Sequence, residues 1–370
     1  MRRSFALLFL LVPAVASAQA AIDARLAKVD SVATAEIAKQ RLVGAAVVAI
    51  DGGQVAWSKG YGFADREAGV AVDPAVTQFR WASISKPVTA VAAFQLVEKG
   101  LLDLDAEVRS YVPEFPDKGV VITPRQLLRH QGGIVHYANG PVVKTERSYA
   151  DPHPFADVIV ALDHFKDSPL VNRPGERYAY STHGFVLLSA VVERAGKQRY
   201  ADQVRERIAE PLGMASFRPD YQWEEIPNRA AGYMGKADAH ERRPDDQVQD
   251  VSWKLGGGGF TSTAVDLARF GVGLIDRKLV SEASERAMWT VVKPADPAGA
   301  KPYASGFFVI DRPDGTKWVG HDGSQQKART ALILDPAGRR GIAVMSNSEW
   351  ADVMTLAMRL LGELDQPPAA

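Results

Sequence analysis

The chain has 370 residues, of which 46% are hydrophobic and 24% charged, so it has enough apolar material for a large globular core. The 44 basic residues equal the 44 acidic ones and neither sign gathers in long runs, which argues against a nucleic-acid partner and favours a small-molecule or peptide substrate of neutral or mixed charge. Cysteine is absent, which excludes disulfides, thiolate nucleophiles and cysteine-ligated zinc.

Residues 1–18 have the pattern of a secretory signal peptide. Two arginines precede an apolar stretch from Phe5 to Val12 that is too short to span a bilayer, and Ala16-Ser17-Ala18 supplies a small-residue cleavage site. We therefore expect a secreted or periplasmic protein, cleaved after Ala18, with no stable membrane span. The alternative is an uncleaved membrane anchor.

The first elements after this segment are predicted to be a helix and a hairpin. Apolar residues recur at steps of three and four from Ile22 to Ile37, which is typical of an amphipathic helix. A β-rich run from Val43 to Ile50, the turn Asp51-Gly52-Gly53 and a second run from Val55 predict a hairpin at the edge of the main sheet.

Ser83 and Lys86 form an S-x-x-K pattern at the start of a predicted helix that ends near Gly100. Pro87 is tolerated only in a first turn, so Ser83 should lie among unpaired backbone N–H groups that can stabilise an oxyanion. Lys86, one turn deeper beside apolar residues, would have a lowered pKa and could act as a base. The pattern is weak alone, because a second match starts at Ser324; the alternative is a capping serine and a lysine that reaches solvent.

Residues 102–254 are rich in proline, histidine and arginine and show short helical patterns, which predicts an inserted all-helical lobe. Within it, Tyr180 and Thr182 directly precede an apolar helix that includes Phe185. A phenol on such a loop, beside a cation such as Lys86, could carry a proton to and from a leaving group. The alternative for Tyr180 is a half-buried structural aromatic.

Four strands are predicted near the C-terminus, at 306–310, 317–321, 330–334 and 341–346, and a final helix at 353–364. Their short connections indicate an antiparallel sheet. The predicted fold class is α/β, more narrowly α+β: residues 19–101 and 255–370 form one sheet lobe, with both terminal helices on one face. The helical lobe covers the other side, and the active site lies in the cleft between the lobes.

His321, Asp322 and Gly323 end the second of these strands. Gly323 would allow a substrate close to the strand, so the backbone amide of Ser324 could be a second oxyanion donor. His321 would then stand over the cleft, although a lone histidine at a strand end is usually only polar. Neither H-E-x-x-H nor a cluster with metal-ligand spacing occurs, so no metal and no other cofactor is expected.

In order and spacing, these three motifs resemble those of the serine β-lactamase and penicillin-binding protein superfamily, in the branch of class C β-lactamases, D-Ala-D-Ala carboxypeptidases and related esterases. The resemblance covers residues 40 to 350 and includes supporting segments at 60–65, 122–133, 258–263 and 337–338. It implies that Ser83 is the acylated nucleophile, Lys86 its partner and Tyr180 the general base and acid. It also makes residues 321–323 the counterpart of the family's Lys-Thr-Gly strand motif.

The chain departs from the family pattern at Thr182, which stands where Tyr-x-Asn has asparagine. A hydroxyl cannot reproduce the carbonyl and two N–H donors of an amide, so the grip on a substrate amide changes and efficient β-lactam turnover is not expected. The segment from Tyr180 to Phe185 is similar to the mitochondrial serine β-lactamase-like proteins and their bacterial relatives. This similarity implies a peptidase-like activity and admits self-assembly into oligomers.

The leading hypothesis is hydrolysis of a peptide, lactam or ester carbonyl through an acyl-enzyme on Ser83. One alternative is a carboxylesterase of the same fold. Another, from a different class, is a catalytically silent cell-wall binding or scaffold protein, motivated by Thr182. An α/β-hydrolase is disfavoured because no G-x-S-x-G motif occurs.

Overall fold

The computed structural model describes residues 11–366. The first ten residues of the predicted signal peptide therefore lie outside the described residues. Within 11–366, no helix combines the length and the apolar character that a membrane span requires.

A seven-stranded sheet forms the centre of the molecule. It contains β1 (Gly44–Asp51), β2 (Gln54–Asp65), β3 (Val70–Ala71), β9 (Phe308–Asp311), β10 (Lys317–Gln325), β11 (Ala328–Asp335) and β12 (Arg340–Ser346). The spatial order is β3-β2-β1-β12-β11-β10-β9. The pairing of Ala45 with Ser346 is part of the β1–β12 ladder and confirms that strands from both ends of the chain join in one antiparallel sheet. The predicted β1–β2 hairpin lies next to the two-residue edge strand β3.

The central strands β1, β11 and β12 are buried on both faces, and because successive residues of a strand point to opposite sides, each strand contributes to two clusters. On one face, α1 (Leu11–Lys39) and α9 (Val353–Asp365) pack against each other and the strands, as predicted. On the other face, α7 (Ala264–Ile275) and α2 (Ser85–Glu98) belong to a larger cluster of buried residues. Strand β1 shows the division, since Val47 faces the first cluster and Val48 the second.

The segment 102–254 contains the helices α3 (Pro124–Leu128), α4 (Thr182–Gly196) and α5 (Tyr200–Val204), but most of its residues lie in turns and irregular structure. The prediction of an all-helical lobe is incomplete, because three short strands also lie there: β5 (Arg218–Pro219), β6 (Tyr233–Lys236) and β7 (Ala239–Arg242). Runs of two to four residues are too short to show the alternation by which a strand is recognised in sequence.

Strand β5 and the remaining elements connect this lobe to the active-site region. A small sheet has the order β4-β8-β5, in which β4 is Phe79–Arg80 and β8 is Phe260–Ser262. The short helix α6 (Leu255–Gly258) comes directly before β8, and α8 (Glu282–Met288) follows α7. Through β8, which pairs with both strands, β5 is thus linked to β4, the strand that ends three residues before Ser83.

Candidate active site

Ser83 lies in a single 3₁₀ turn, Ala82–Ile84, that leads directly into α2. Ala82 has a φ of 48°, a left-handed conformation that costs free energy for a residue with a Cβ and that is common at functional turns. Pro87 is the third residue of α2, where its missing N–H costs no helical hydrogen bond. The serine is therefore held at the positive end of a buried helix, as its sequence context predicted.

Lys86 is fully buried and its amine lies at the centre of the site. Its Nζ lies 3.1 Å from Ser83 Oγ, 3.2 Å from Thr182 Oγ1 and 2.7 Å from the carbonyl oxygen of Gly257. Burial, together with the positive charge of Lys254, holds the pKa of Lys86 well below the usual value for lysine. A neutral amine has two N–H donors for Gly257 and Thr182 and one lone pair for the Ser83 hydroxyl, which matches the three contacts.

Tyr180 lies on the loop before α4, and hydrogen bonds made by the residues before and after it fix the position of that loop. Ser181 caps α4 by accepting from Gly184 N, and the ring Nδ1 of His130 accepts from Ser181 N at 3.1 Å. The backbone carbonyl of His130 also accepts from Ala179 N at 2.7 Å. The tyrosine side chain is thereby directed at Lys86, whose Nζ lies 4.8 Å from the centre of the ring.

The electrostatics at Tyr180 favour the neutral phenol. Burial raises its pKa well above the usual value, although a hydrogen bond with Ser83 acts in the opposite direction. The sequence argument that a neighbouring ammonium promotes ionisation of this phenol is weakened, because burial also disfavours the charged form of Lys86. Lys86 is the better base, and Tyr180 is suited to donate and return a proton.

Strand β10 passes very close to the nucleophile turn at Gly323. A Cβ at this position would lie 2.5 Å from the carbonyl oxygen of Trp81 and 3.0 Å from Ser83 N. Only glycine fits there, and its small size brings the next residue, Ser324, into the same cavity as Ser83. In this arrangement the backbone N–H groups of Ser83 and Ser324 can both donate to the oxygen of a carbonyl group bound in the cavity.

His321 does not stand over the cleft, in contrast to the expectation from sequence. It is 1% exposed, its Nε2 lies 3.1 Å from the Tyr303 hydroxyl, and its Nδ1 lies 2.5 Å from the carbonyl oxygen of Asp322. The rings of Tyr303 and Phe308 cover it, with centroids at 5.6 and 4.9 Å. Burial and the charge of Lys86 lower its pKa to about 3, so it is neutral and cannot supply the cation of a Lys-Thr-Gly motif.

A cavity of about 400 Å³ connects these groups. The predicted site residues that line it are Ser83, Tyr180, Thr182, Asp322 and Ser324, and the other lining residues are His136, Tyr137, Lys254, Gly257, Gly258, Phe308 and Gln325. A larger cavity of about 690 Å³, lined in part by Tyr149 and Tyr221, contains none of the predicted site residues. Within residues 11–366, no group of three or more histidine, aspartate or glutamate side chains could hold a metal ion.

Sequence reasoning missed His136 and Lys254. His136 Nδ1 accepts from Thr182 N at 3.2 Å, and burial with the charge of Lys86 lowers its pKa to about 3. Lys254 is 7% exposed, and burial with the charge of Arg80 lowers its pKa to about 8. The only local signal for Lys254 is its position just before the run of glycines at 256–259, where the backbone approaches other elements closely.

Comparison with known proteins adds to this geometry. A family model described as Beta-lactamase matches residues 21–361. The human mitochondrial serine beta-lactamase-like protein LACTB is 33% identical over 78% of this chain and 68% of that protein. Esterase EstB of Burkholderia gladioli is 34% identical over 51% of this chain and 50% of that protein. The solved structure of an octameric penicillin-binding protein homologue from Pyrococcus abyssi superposes with a TM-score of 0.75 and 27% identity, over 92% of this chain and 77% of that chain.

Proposed function

The chain belongs to the beta-lactamase family, which includes penicillin-binding and esterase relatives and supports assignment as a serine hydrolase. From this premise we propose that it cleaves a peptide, lactam or ester carbonyl through an acyl-enzyme on Ser83. The observation that carries the proposal is the fully buried amine of Lys86, 3.1 Å from Ser83 Oγ and with a lowered pKa. A neutral amine at this distance can take the serine proton at ordinary pH.

In the acylation step, the Ser83 proton passes to Lys86 Nζ while Oγ forms a bond with the substrate carbonyl carbon. The negative charge that develops on the carbonyl oxygen faces the N-terminus of α2, where the backbone N–H groups of Ser83 and Ser324 would bind it. Tyr180 then gives its hydroxyl proton to the leaving nitrogen or oxygen and regains a proton from Lys86. The bond to the leaving group breaks, and the acyl group stays on Ser83.

Deacylation repeats these steps with water. Lys86 takes a proton from water, whose oxygen attacks the ester carbon, and Ser83 regains a proton as the Oγ–carbon bond breaks. Thr182 and Gly257 hold the amine in place for both half-reactions, because each contacts Nζ from a different element. His321 has no direct step, since it is buried against Tyr303 and Phe308 and does not line the cavity.

The finer features of the proposal follow from the resemblances. A carboxypeptidase-like activity on a peptidoglycan-like peptide, or an esterase activity, is supported by the penicillin-binding and esterase relatives. An oligomer is supported by the octameric homologue.

We also propose that the protein is exported and cleaved after Ala18. N-terminal sequencing of protein recovered from the periplasm or medium would find Gln19 first, and an intact N-terminus there would contradict this proposal.

Covalent labelling tests the nucleophile directly. A fluorophosphonate probe should add one label to the intact protein, and peptide mapping should place it on Ser83. Ser83→Ala should abolish labelling, whereas Ser324→Ala, which removes the hydroxyl of the second S-x-x-K match in the same cavity, should retain it. A label that persists in Ser83→Ala would refute the proposal.

A substrate panel then separates the reaction types. Short-chain p-nitrophenyl esters, a D-Ala-D-Ala peptide and a chromogenic cephalosporin should be compared with the active protein and with Ser83→Ala. Ester turnover alone would identify a carboxylesterase. Binding of peptidoglycan without turnover of any of the three would favour a silent binding protein over an enzyme.

A further inference from the structure

Lys254 has a fixed position beside the proposed catalytic groups. It directly precedes α6, the short helix whose Gly257 carbonyl accepts from Lys86 Nζ. Its side chain is 7% exposed and lines the same cavity as Ser83 and Tyr180. One short segment therefore carries Lys254 at the cavity and also, through the Gly257 carbonyl, holds the amine of Lys86 beside Ser83.

The Lys254 ammonium has neither a hydrogen-bond acceptor nor an ion-pair partner among residues 11–366. The rings of Tyr137 and Trp253 flank it, with centroids 5.7 and 5.8 Å from Nζ. The carboxylates near Lys254 contact other residues instead. The carboxylate of Asp220 lies 2.6 Å from Arg80 and 2.9 Å from Arg229, and that of Asp250 accepts two hydrogen bonds from Ser252.

A buried ammonium without an anionic partner is unfavourable, and aromatic faces offset only part of the lost hydration. Such a group is well suited to bind an anion that arrives with the substrate, since the cost of removing the ammonium from water is already part of the folded state. Burial and the charge of Arg80 lower the pKa of Lys254 to about 8, so most of it is protonated at neutral pH.

We propose that Lys254 binds a carboxylate of the substrate, so that the enzyme prefers acyl substrates carrying a free carboxylate over neutral ones of the same shape. This inference rests on the proposed hydrolysis at Ser83, and it names a specificity-determining residue of that site. Asp322 also lines the cavity, but its side chain is 47% exposed, so water screens its charge more than it screens that of Lys254.

Lys254 also acts on Lys86, because its charge contributes to the lowered pKa of that amine. Loss of Lys254 can therefore change the rate with every substrate. The preference between a carboxylate and a matched amide cancels this common effect, and it is the quantity to measure.

Two pairs of esters place the charge on either side of the scissile bond. The first is 3-carboxyphenyl butyrate with 3-carbamoylphenyl butyrate, and the second is the phenyl monoester of adipic acid with that of adipamic acid. The ratio of kcat/KM for carboxylate over amide should fall about 10- to 100-fold in Lys254→Met in at least one pair, as expected for loss of a buried charge-assisted contact. Lys254→Arg should keep most of the preference.

Lys59→Met is the matched control. Lys59 is 44% exposed and pairs with Asp30 at 2.7 Å on the terminal-helix face of the sheet, so the same substitution there should leave the ratio unchanged. A ratio that stays within twofold in both pairs on Lys254→Met would overturn the proposal.

Equilibrium binding separates this inference from the hydrolysis itself. Calorimetry of 3-carboxyphenyl butyrate with Ser83→Ala requires no turnover, and adding Lys254→Met should weaken its affinity by a similar factor while the amide changes less. Equal weakening of both ligands would refute a role in carboxylate binding, even if Ser83 proves to be the nucleophile. Turnover that persists in Ser83→Ala would instead count against the proposed reaction.

Discussion

Replacing Gly323 with alanine should misplace the catalytic turn while leaving all reactive side chains present. The added Cβ would lie 2.5 Å from the carbonyl oxygen of Trp81, 2.9 Å from the Cβ of Ala82 and 3.0 Å from Ser83 N. Carbon and oxygen atoms in contact normally lie more than 3 Å apart, and none of these three groups is the end of a flexible side chain. Either β10 or the turn must therefore move by roughly 0.5 to 1 Å.

A displacement of this size at the nucleophile costs on the order of 100-fold in rate, and overpacking costs about 1–3 kcal/mol of stability. The assay is kcat for an ester together with the rate of fluorophosphonate labelling, which reports the nucleophile alone. Both should fall in Gly323→Ala, whereas thermal unfolding should shift only by several degrees. Residual labelling at more than half of the original rate would refute the argument that close approach at 323 sets the geometry of Ser83.

Gly362→Ala is the control for the substitution itself. Gly362 lies in α9, and a Cβ there would meet nothing within 4 Å. Alanine is the better helix former by about 1 kcal/mol, so this variant should be slightly more stable and fully active. A comparable loss of activity in both variants would mean that the effect is not specific to the close approach.

Three further predictions concern charge and hydrogen bonding. Burial and the charge of Lys254 lower the pKa of Lys86, so kcat/KM for a neutral ester should fall on acidification as Lys86 gains a proton. The plateau of kcat/KM should begin well below the usual lysine pKa, and a midpoint near pH 10 would contradict the lowered pKa of Lys86. Asp220→Asn leaves the buried guanidinium of Arg80 without its counter-charge and should cost about 3–5 kcal/mol in chemical denaturation, and a loss below 1 kcal/mol would be inconsistent with that pair. Thr182→Val removes an acceptor for Lys86 Nζ and should lower kcat about tenfold, while Thr182→Ser should retain most of it; equal losses would assign the effect to packing.

Local patterns in the sequence were sufficient for most elements and for the identity of the central groups. Pro87 alone indicates where α2 begins, because its ring and missing N–H restrict it to a first turn. The period of apolar residues in α1 and α9 marks their buried faces, and short turns mark the antiparallel order of β10 to β12. The S-x-x-K spacing likewise brings Ser83 and Lys86 within 3.1 Å through the geometry of one helical turn.

Contacts between distant segments were decided only by the tertiary structure. His321 is buried because Tyr303 and Phe308, from the neighbouring segment and strand, cover it. Lys254 reaches the cavity because α6 packs against the start of α2, and within its own segment only the run of glycines that follows it indicates a close approach. Periodicity and turn chemistry depend on neighbouring residues, whereas burial, pKa and ion pairing depend on what the rest of the chain brings alongside. The sequence by itself therefore predicted the candidate nucleophile Ser83, its partner Lys86 and the order of most elements, and the folded chain determined which other side chains lie beside them.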